Sequence, residues 1–194
     1  MKKILRILAK KKRSEITLDI KSKNNLVKQI KYCLDNIFSY DQNIKTASLY
    51  YPINNEIEPF QFVTYFKGRN IVMSMPVINM IKKSMLFKKW SPDDELRIGP
   101  LGNPEPTYEK KIIFPQIMIV PMLMFDRKLS RLGYGGGYYD KSISNLKKHF
   151  QKEKQSFITI GLTYSKQEFE KIPNEDHDMK LDYIVTEKEI LSRS

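Results

Sequence analysis

The chain has 194 residues, 41% of them hydrophobic and 29% charged, a balance typical of one globular domain over residues 1–194. No apolar run approaches the length of a membrane span, and the basic start lacks the continuous apolar core of a secretory signal. Because the single cysteine, Cys33, cannot form an internal disulfide, we expect a cytoplasmic protein.

The chain is strongly basic, with 34 Lys and Arg against 22 Asp and Glu and a net charge of +12. Such a balance concerns the partners of a protein and not its fold. Nucleic acid, a polyanionic small molecule such as a nucleotide, or merely a lysine-rich composition would each explain it. The lysines are scattered along the chain and form no single stripe, so the charge alone does not choose among these explanations.

The N-terminal residues predict an amphipathic helix. Residues 2–13 hold seven basic residues and no acidic one. Apolar residues recur among them at helical spacing, and we expect these to form the buried face: Ile4, Leu5, Leu8 and Ala9. Lys2 and Arg6 lie one helical turn apart, so both can point at one anion. The alternative is that they belong to a solvated basic face.

Beyond this helix, the pattern alternates between strands and helices. Apolar stripes predict helices over residues 23–38, 57–66 and 139–150. Strands are predicted over residues 46–53, 70–78, 84–90, 117–125, 156–164 and 183–187. Residues 97–106 contain three prolines and two glycines, and we expect them to be irregular. This alternation predicts an α/β sheet with right-handed crossovers.

The segment RLGYGGGYYD, residues 131–140, holds four of the eight glycines of the chain. It lies between a buried strand and a helix, where α/β sheets bind ligands. Glycines let the backbone approach an anion, the following helix N terminus attracts phosphate, and Arg131 adds a positive charge. The segment matches neither the Walker loop nor the dinucleotide fingerprint. We interpret it as a phosphate cradle, and a tight turn before a helix is the alternative.

With the residues before it, this loop resembles the signature of the 5-formyltetrahydrofolate cyclo-ligase family, also called 5,10-methenyltetrahydrofolate synthetases. The similar segment is VPMLMFD…RLGYGGGYYD, residues 120–140. Other similar segments follow the family order: KKILR (2–6), NEIEP (55–59), GNPEP (102–106) and DHDMKLDYIVTE (176–187). The resemblance covers the whole chain. One position departs from it, because the family usually has a glycine three residues after the aspartate that matches Asp126, where this chain has Leu129.

The resemblance implies a fold and a reaction. The fold is a three-layer, Rossmann-like open α/β sheet, similar to sugar-phosphate isomerases and CoA-transferase-like proteins. The reaction is the ATP-dependent cyclisation of 5-formyltetrahydrofolate to 5,10-methenyltetrahydrofolate, with ADP and phosphate released, through a phosphorylated formyl group. The implied partners are ATP as co-substrate, Mg²⁺, and the folate with or without a polyglutamate tail. We expect a monomer that binds neither nucleic acid nor membrane.

The resemblance also implies site residues. Those implied for ATP are Lys2, Lys3, Ile4, Leu5, Arg6, Arg131, Leu132, Gly133, Tyr134, Gly135, Gly136, Gly137, Tyr138 and Tyr139. Those implied for the folate are Ile53, Glu58, Tyr134, Gly135, Gly136, Gly137 and Tyr138. Arg131 and Tyr138 are the implied catalytic residues, and Asp140 and Asp178 the implied magnesium ligands.

Taken alone, several of these residues have simpler explanations. Asp140 suits the first turn of a helix, where the helix dipole stabilises a carboxylate. Asp178 suits an acidic surface turn, and Glu58 the start of a helix. A phosphosugar-handling enzyme would use the same phosphate cradle, and a basic RNA-binding protein would explain the charge. No aromatic-rich RNA-recognition motif is visible, and two histidines and one cysteine are too few for a zinc site.

Overall fold

The computed structural model describes residues 1–193 and contains four α-helices. They are α1 (Lys2–Ser14), α2 (Ile20–Tyr40), α3 (Gln61–Gly68) and α4 (Tyr138–Lys152). The strands are β1 (Thr46–Ser48), β2 (Val72–Asn79), β3 (Ser84–Lys89), β4 (Leu96–Ile98), β5 (Pro104–Pro106), β6 (Ile117–Pro121), β7 (Met124–Phe125), β8 (Arg131–Leu132), β9 (Ile158–Leu162), β10 (Tyr183–Val185) and β11 (Ile190–Ser192). Within residues 1–193, no helix has the length and apolar character needed to cross a membrane.

Seven strands form one sheet in the order β11-β10-β9-β6-β1-β2-β3. The five inner strands are parallel, and the antiparallel strands β3 and β11 form the two edges. Two short hairpins, β4–β5 and β7–β8, lie outside this sheet. The predicted α/β fold is confirmed.

The central strand β6 explains the three layers. Its residues point alternately to the two faces of the sheet. Ile117 and Ile119 belong to a core that includes side chains of α2 and α3, whereas Met118 and Val120 belong to a core that includes side chains of α4. Because both faces are covered, β6 needs apolar residues at every position, which is why its sequence is a continuous apolar run.

Several predicted element boundaries were wrong. The strand predicted over residues 117–125 ends at Pro121, which has no N–H for the ladder, and the chain then leaves the sheet to form β7. The strand predicted over residues 46–53 ends at Ser48. The third helix begins at Gln61 and not at Ile57. Residues 97–106, expected to be irregular, contain the β4–β5 hairpin, and β11 was not predicted.

The inward face of α1 also differs from the prediction. Leu5 and Ala9 pack in a small core with Met124 and Leu132 of the β7–β8 hairpin. Ile4 and Leu8, which we expected on the buried face, are 65% and 54% exposed. The inward stripe instead continues from Ala9 to Arg13, one turn further on, and Arg13 is 1% exposed. A buried arginine within a run of basic residues gives no hydrophobic signal, so the pattern identified Leu5 and Ala9 but missed Arg13.

Candidate active site

A cavity of about 570 Å³ lies at the carboxyl ends of the parallel strands. Pro121, the last residue of β6, lines it together with Tyr50, which follows β1. Pro76 and Ile78 of β2 line the same cavity. Parallel strands all end at the same edge of a sheet, and this is where open α/β sheets bind ligands. The cavity is therefore the candidate active site.

The glycine loop, residues 133–137, forms one wall of this cavity between β8 and α4. Gly135 and Gly137 have φ values of 103° and 69°, a backbone region that side chains disfavour. A Cβ atom on Gly135 would lie 3.0 Å from Cζ of Arg6. Gly137 is the N-cap of α4, so the unpaired N–H groups of the first turn of α4 begin directly after the loop. The loop thus has the geometry of an anion cradle.

Helix α1 brings two cations to this cavity. Arg6 donates from Nε to the carbonyl of Gly133 at 3.0 Å. Nζ of Lys2 lies 2.6 Å from Asp178 Oδ2 and 3.0 Å from Glu175 Oε1. Burial lowers the pKa of Lys2, but the two carboxylates outweigh it and raise that pKa above its ordinary value. The amine therefore stays charged at neutral pH.

Not every predicted ATP-binding residue reaches the cavity. Lys2 and Arg6 line it, as do all the predicted residues from Arg131 to Tyr139. Lys3 and Ile4 are exposed outside its lining, and Leu5 packs in the small core beneath α1. A helix presents one face to a cavity, which is why Lys2 and Arg6 line it and the three residues between them do not.

Arg131 connects the start of α4 to the C-terminal part of the chain. Its Nη2 donates to Asp140 Oδ1 at 2.8 Å, and its Nη1 donates to the carbonyl of Met179. The N–H of Met179 donates to the same oxygen, Asp140 Oδ1, at 2.9 Å. Burial lowers the pKa of Arg131, while the charge of Asp140 opposes that shift. The segment that contains Asp178 is thereby fixed beside the first turn of α4.

Asp140 and Asp178 both line the cavity, and each keeps an available carboxylate oxygen. Within residues 1–193, Oδ2 of Asp140 and Oδ1 of Asp178 accept no hydrogen bond. Burial raises the pKa of Asp178, but Lys2 and the N–H of Glu175 outweigh this and hold it below its ordinary value. The described chain has no cluster of three or more His, Cys, Asp or Glu residues that could hold a metal alone. Two oxygens suit a magnesium ion whose other ligands are phosphate and water.

Glu56 lies on another wall of the cavity, in a buried network. Its Oε1 lies 3.4 Å from Nη1 of Arg13 and accepts a hydrogen bond from the Tyr134 hydroxyl at 2.9 Å. Its Oε2 accepts from the N–H of Ile53 at 3.0 Å. Burial raises the pKa of Glu56, although these hydrogen bonds and the charge of Arg13 oppose the shift. Burial also raises the pKa of Tyr134 to about 12, so its hydroxyl remains a donor.

The two residues predicted to contact folate from this segment have different positions. Ile53 lines the cavity, whereas Glu58 is exposed and does not. Asn54 and Asn55 have φ values of 48° and 61°, so the chain turns sharply here and buries Glu56 instead. The NEIEP segment contains both glutamates, and its pattern alone gave no reason to prefer the first.

A second buried carboxylate, Glu105 of β5, lies in the GNPEP segment and lines the cavity, although no individual role was predicted for it. It accepts from the N–H of Ile78 at 3.0 Å and pairs with Arg97 at 2.8 Å. Burial raises its pKa. These bonds fix the β4–β5 hairpin, whose Leu101 also lines the cavity.

The fold and the site together define a class of protein. The cavity combines an anion cradle and two cations with buried carboxylates and apolar residues. This arrangement suits an α/β enzyme with a phosphate-bearing ligand beside a second, partly apolar ligand.

The chain belongs to the 5-formyltetrahydrofolate cyclo-ligase family, because the sequence model of that family matches residues 1–187. A 5-formyltetrahydrofolate cyclo-ligase of Haemophilus influenzae is 30% identical over 142 residues, covering 71% of this chain and 73% of the relative. The family is one of ligases, so the chain is an enzyme of this kind.

Solved structures agree with this assignment. The NMR structure of the Aquifex aeolicus 5,10-methenyltetrahydrofolate synthetase is 26% identical, with a TM-score of 0.69 over 100% of this chain and 95% of that one. A 5,10-methenyltetrahydrofolate synthetase from Mycoplasma pneumoniae is 24% identical, with a TM-score of 0.68 over 95% of this chain and 97% of that one. The second likeness concerns the fold alone.

Proposed function

We propose that the protein cyclises 5-formyltetrahydrofolate to 5,10-methenyltetrahydrofolate at the expense of ATP. The strongest support is that one cavity is lined both by residues that suit phosphate and by residues that suit a pterin ring. The glycine loop, Lys2 and Arg6 suit a triphosphate, and the buried Glu56 suits the N–H donors of a pterin ring. A single cavity with both sets of residues can hold the two substrates in contact.

The reaction needs a better leaving group than an N-formyl oxygen. In the first step, the formyl oxygen attacks the γ-phosphorus of ATP, the bond to the bridging oxygen breaks, and ADP leaves. The product is an iminium phosphate at N5. N10 then attacks the formyl carbon, inorganic phosphate departs with the former formyl oxygen, and N10 loses its proton. The enzyme needs no covalent nucleophile, only alignment of two substrates and neutralisation of charge.

The residues around the glycine loop suit the phosphoryl transfer. Backbone N–H groups at the start of α4 can donate to phosphate oxygens, and Gly135 lets the backbone approach them. Lys2, Arg6 and Arg131 surround the transferred group with positive charge. A magnesium ion held by Asp140 and Asp178 would neutralise phosphate charge further.

Other residues that line the cavity suit the folate. We assign the pterin-binding carboxylate to Glu56 in place of the predicted Glu58. Of these two glutamates, Glu56 lines the cavity and Glu58 does not. Ile53 and Tyr134 lie beside Glu56. The ring of Tyr138 packs under Gly136, where a Cβ atom would lie 2.7 Å from it, and its hydroxyl lies 3.3 Å from the sulfur of Met80. Because Tyr138 lines the cavity beside the glycine loop, we assign it a place between the two substrates.

An absorbance assay tests the proposal. Purified protein is incubated with 5-formyltetrahydrofolate and Mg-ATP, and the conjugated methenyl product is followed over time. We expect product only when ATP is present, and ADP only when the folate is present. Equal product formation without ATP, or equal ATP hydrolysis without the folate, would refute the proposed function.

A further inference from the structure

Arg13 is the most buried cationic side chain of α1 and lies behind the wall that contains Glu56. Its Nε donates to the carbonyl of Asn54 at 3.1 Å, and its Nη1 donates to that of Met122 at 3.4 Å. Its Nη2 donates to the hydroxyl of Tyr134. A buried guanidinium must satisfy its donors within the protein, and each of these bonds therefore restrains the group that accepts it.

The accepting groups belong to three separate parts of the site. Asn54 lies in the turn that buries Glu56, Met122 follows β6, and Tyr134 lies in the glycine loop. Arg13 also lies 3.4 Å from Glu56 itself. The planar fork of arginine can bind several acceptors at fixed angles, which the point charge of lysine cannot do. One side chain thus fixes the relative positions of Glu56 and Tyr134.

We propose that Arg13 is a positioning residue for the folate half of the site: it holds Glu56 and Tyr134 in place and thereby sets folate affinity without contacting nucleotide. The proposal rests on the function proposed above. Arg13 does not itself line the cavity. It lies about 10 Å along α1 from Arg6, which contacts the glycine loop. Both arginines bond neighbouring residues of the glycine loop, but Arg13 alone also contacts Glu56.

Burial raises the pKa of Glu56, and the charge of Arg13, together with the N–H of Ile53, opposes that shift. The titratable groups near this carboxylate include four tyrosines: Tyr134 of the glycine loop, Tyr50 after β1, Tyr139 of α4 and Tyr164 after β9. The amine of Lys10 lies 5.5 Å from the centre of the Tyr134 ring, whereas Arg13 contacts the carboxylate of Glu56 directly. Without Arg13, the buried carboxylate would keep its proton to higher pH, because burial already raises its pKa.

The test compares Arg13→Lys and Arg13→Met with Lys12→Met, a matched control that removes the same charge from an exposed neighbour on α1. For both Arg13 variants, we expect the KM for 5-formyltetrahydrofolate to rise about tenfold or more, as misplaced binding groups cause. The KM for ATP should stay within about twofold of the wild-type value. Lys12→Met should match wild type for both substrates. An unchanged folate KM, or an equal rise in both KM values, would overturn the proposal.

The pH profile of folate binding provides a readout that a merely structural role would not change. We expect the pH below which binding weakens to shift upward in Arg13→Met, since Glu56 then takes up a proton more readily. If Arg13→Met does not fold, the double variant Arg13→Met/Glu56→Gln removes both buried charges and should fold. Its folate binding should be weak, and the pH dependence that the titration of Glu56 causes should be absent. Wild-type folate affinity in either variant would contradict the proposal.

Calorimetry separates this proposal from the proposed function. If the wild-type protein binds 5-formyltetrahydrofolate but makes no methenyl product, the proposed function fails. Folate binding to Arg13→Lys, measured without turnover, then still decides the role of Arg13: about tenfold weaker binding supports it, and equal binding overturns it.

Discussion

Leu129 has a φ of 62°, a conformation that residues other than glycine rarely adopt. This is the position at which the family usually has glycine. The turn nevertheless forms, because the buried carboxylate of Asp126 accepts hydrogen bonds from the N–H groups of Lys128 and Ser130 at 3.0 Å each. The side chain of Leu129 is buried in the core that includes α4. Packing and the Asp126 bonds thus offset the backbone strain.

Leu129→Gly should destabilise the protein, although it relieves that strain. The relief is about 1–2 kcal/mol, whereas deleting a buried leucine side chain costs about 3–5 kcal/mol. We expect the free energy of unfolding, measured by urea denaturation, to fall by about 2 kcal/mol. A more stable glycine variant would show that strain at this turn outweighs packing.

Glu56 and Glu58 form a matched pair for testing the folate wall. Glu56→Gln should raise the KM for 5-formyltetrahydrofolate by about tenfold or more, because a charge-assisted hydrogen bond is lost inside the cavity. Glu58→Gln should change it little, since Glu58 is exposed outside the cavity lining. The comparison uses steady-state kinetics at saturating ATP. The reverse order of effects would restore the assignment made from sequence.

At the scale of elements, the glycine loop was predictable and the face of α1 was not. The loop depends on local chemistry, since the positive φ values at Gly135 and Gly137 favour glycine. The face of α1 depends on contacts with distant segments, namely Asn54, Met122 and Tyr134. Hydrophobic periodicity cannot reveal a buried arginine that is satisfied by such contacts.

Gly135→Ala tests whether the close contact between the glycine loop and α1 is needed for ATP binding. A methyl group at φ 103° is strained and would lie 3.0 Å from the guanidinium carbon of Arg6. We expect ATP affinity, measured by calorimetry, to fall about tenfold or more while the protein stays folded.

Gly68→Ala is the control for this substitution, because Gly68 ends α3 with open space around its Cα. It should bind ATP like wild type. Unchanged ATP affinity in folded Gly135→Ala would remove the support for a phosphate cradle.

The whole fold is needed to bring Asp140 and Asp178 together. Asp140 lies in the first turn of α4, whereas Asp178 precedes β10 and β11. Hydrogen bonds of Arg131 and Met179 connect the two segments. The order of strands and helices was visible in the sequence, as was the likeness of both segments to a family signature. The hydrogen bonds that join them were not, because nothing local to either segment specifies its partner.

If both aspartates bind magnesium, Asp140→Asn and Asp178→Asn should each lower turnover, and excess Mg²⁺ should partly restore it. Each variant keeps an oxygen ligand but loses a charge. Glu175→Gln is the control, since Glu175 pairs with Lys2 as Asp178 does. Its turnover should not depend on excess Mg²⁺. Wild-type behaviour of Asp178→Asn at every Mg²⁺ concentration would leave Asp140 as the single ligand.

The central claim is that the cavity transfers the γ-phosphoryl group of ATP to the formyl oxygen of the folate. Isotope transfer tests it most directly: 5-formyltetrahydrofolate labelled with ¹⁸O in the formyl group is converted in unlabelled water, and the inorganic phosphate is analysed by mass spectrometry. We predict one labelled oxygen in each phosphate released, because the formyl oxygen leaves bonded to phosphorus. Methenyl product accompanied by unlabelled phosphate would contradict the account.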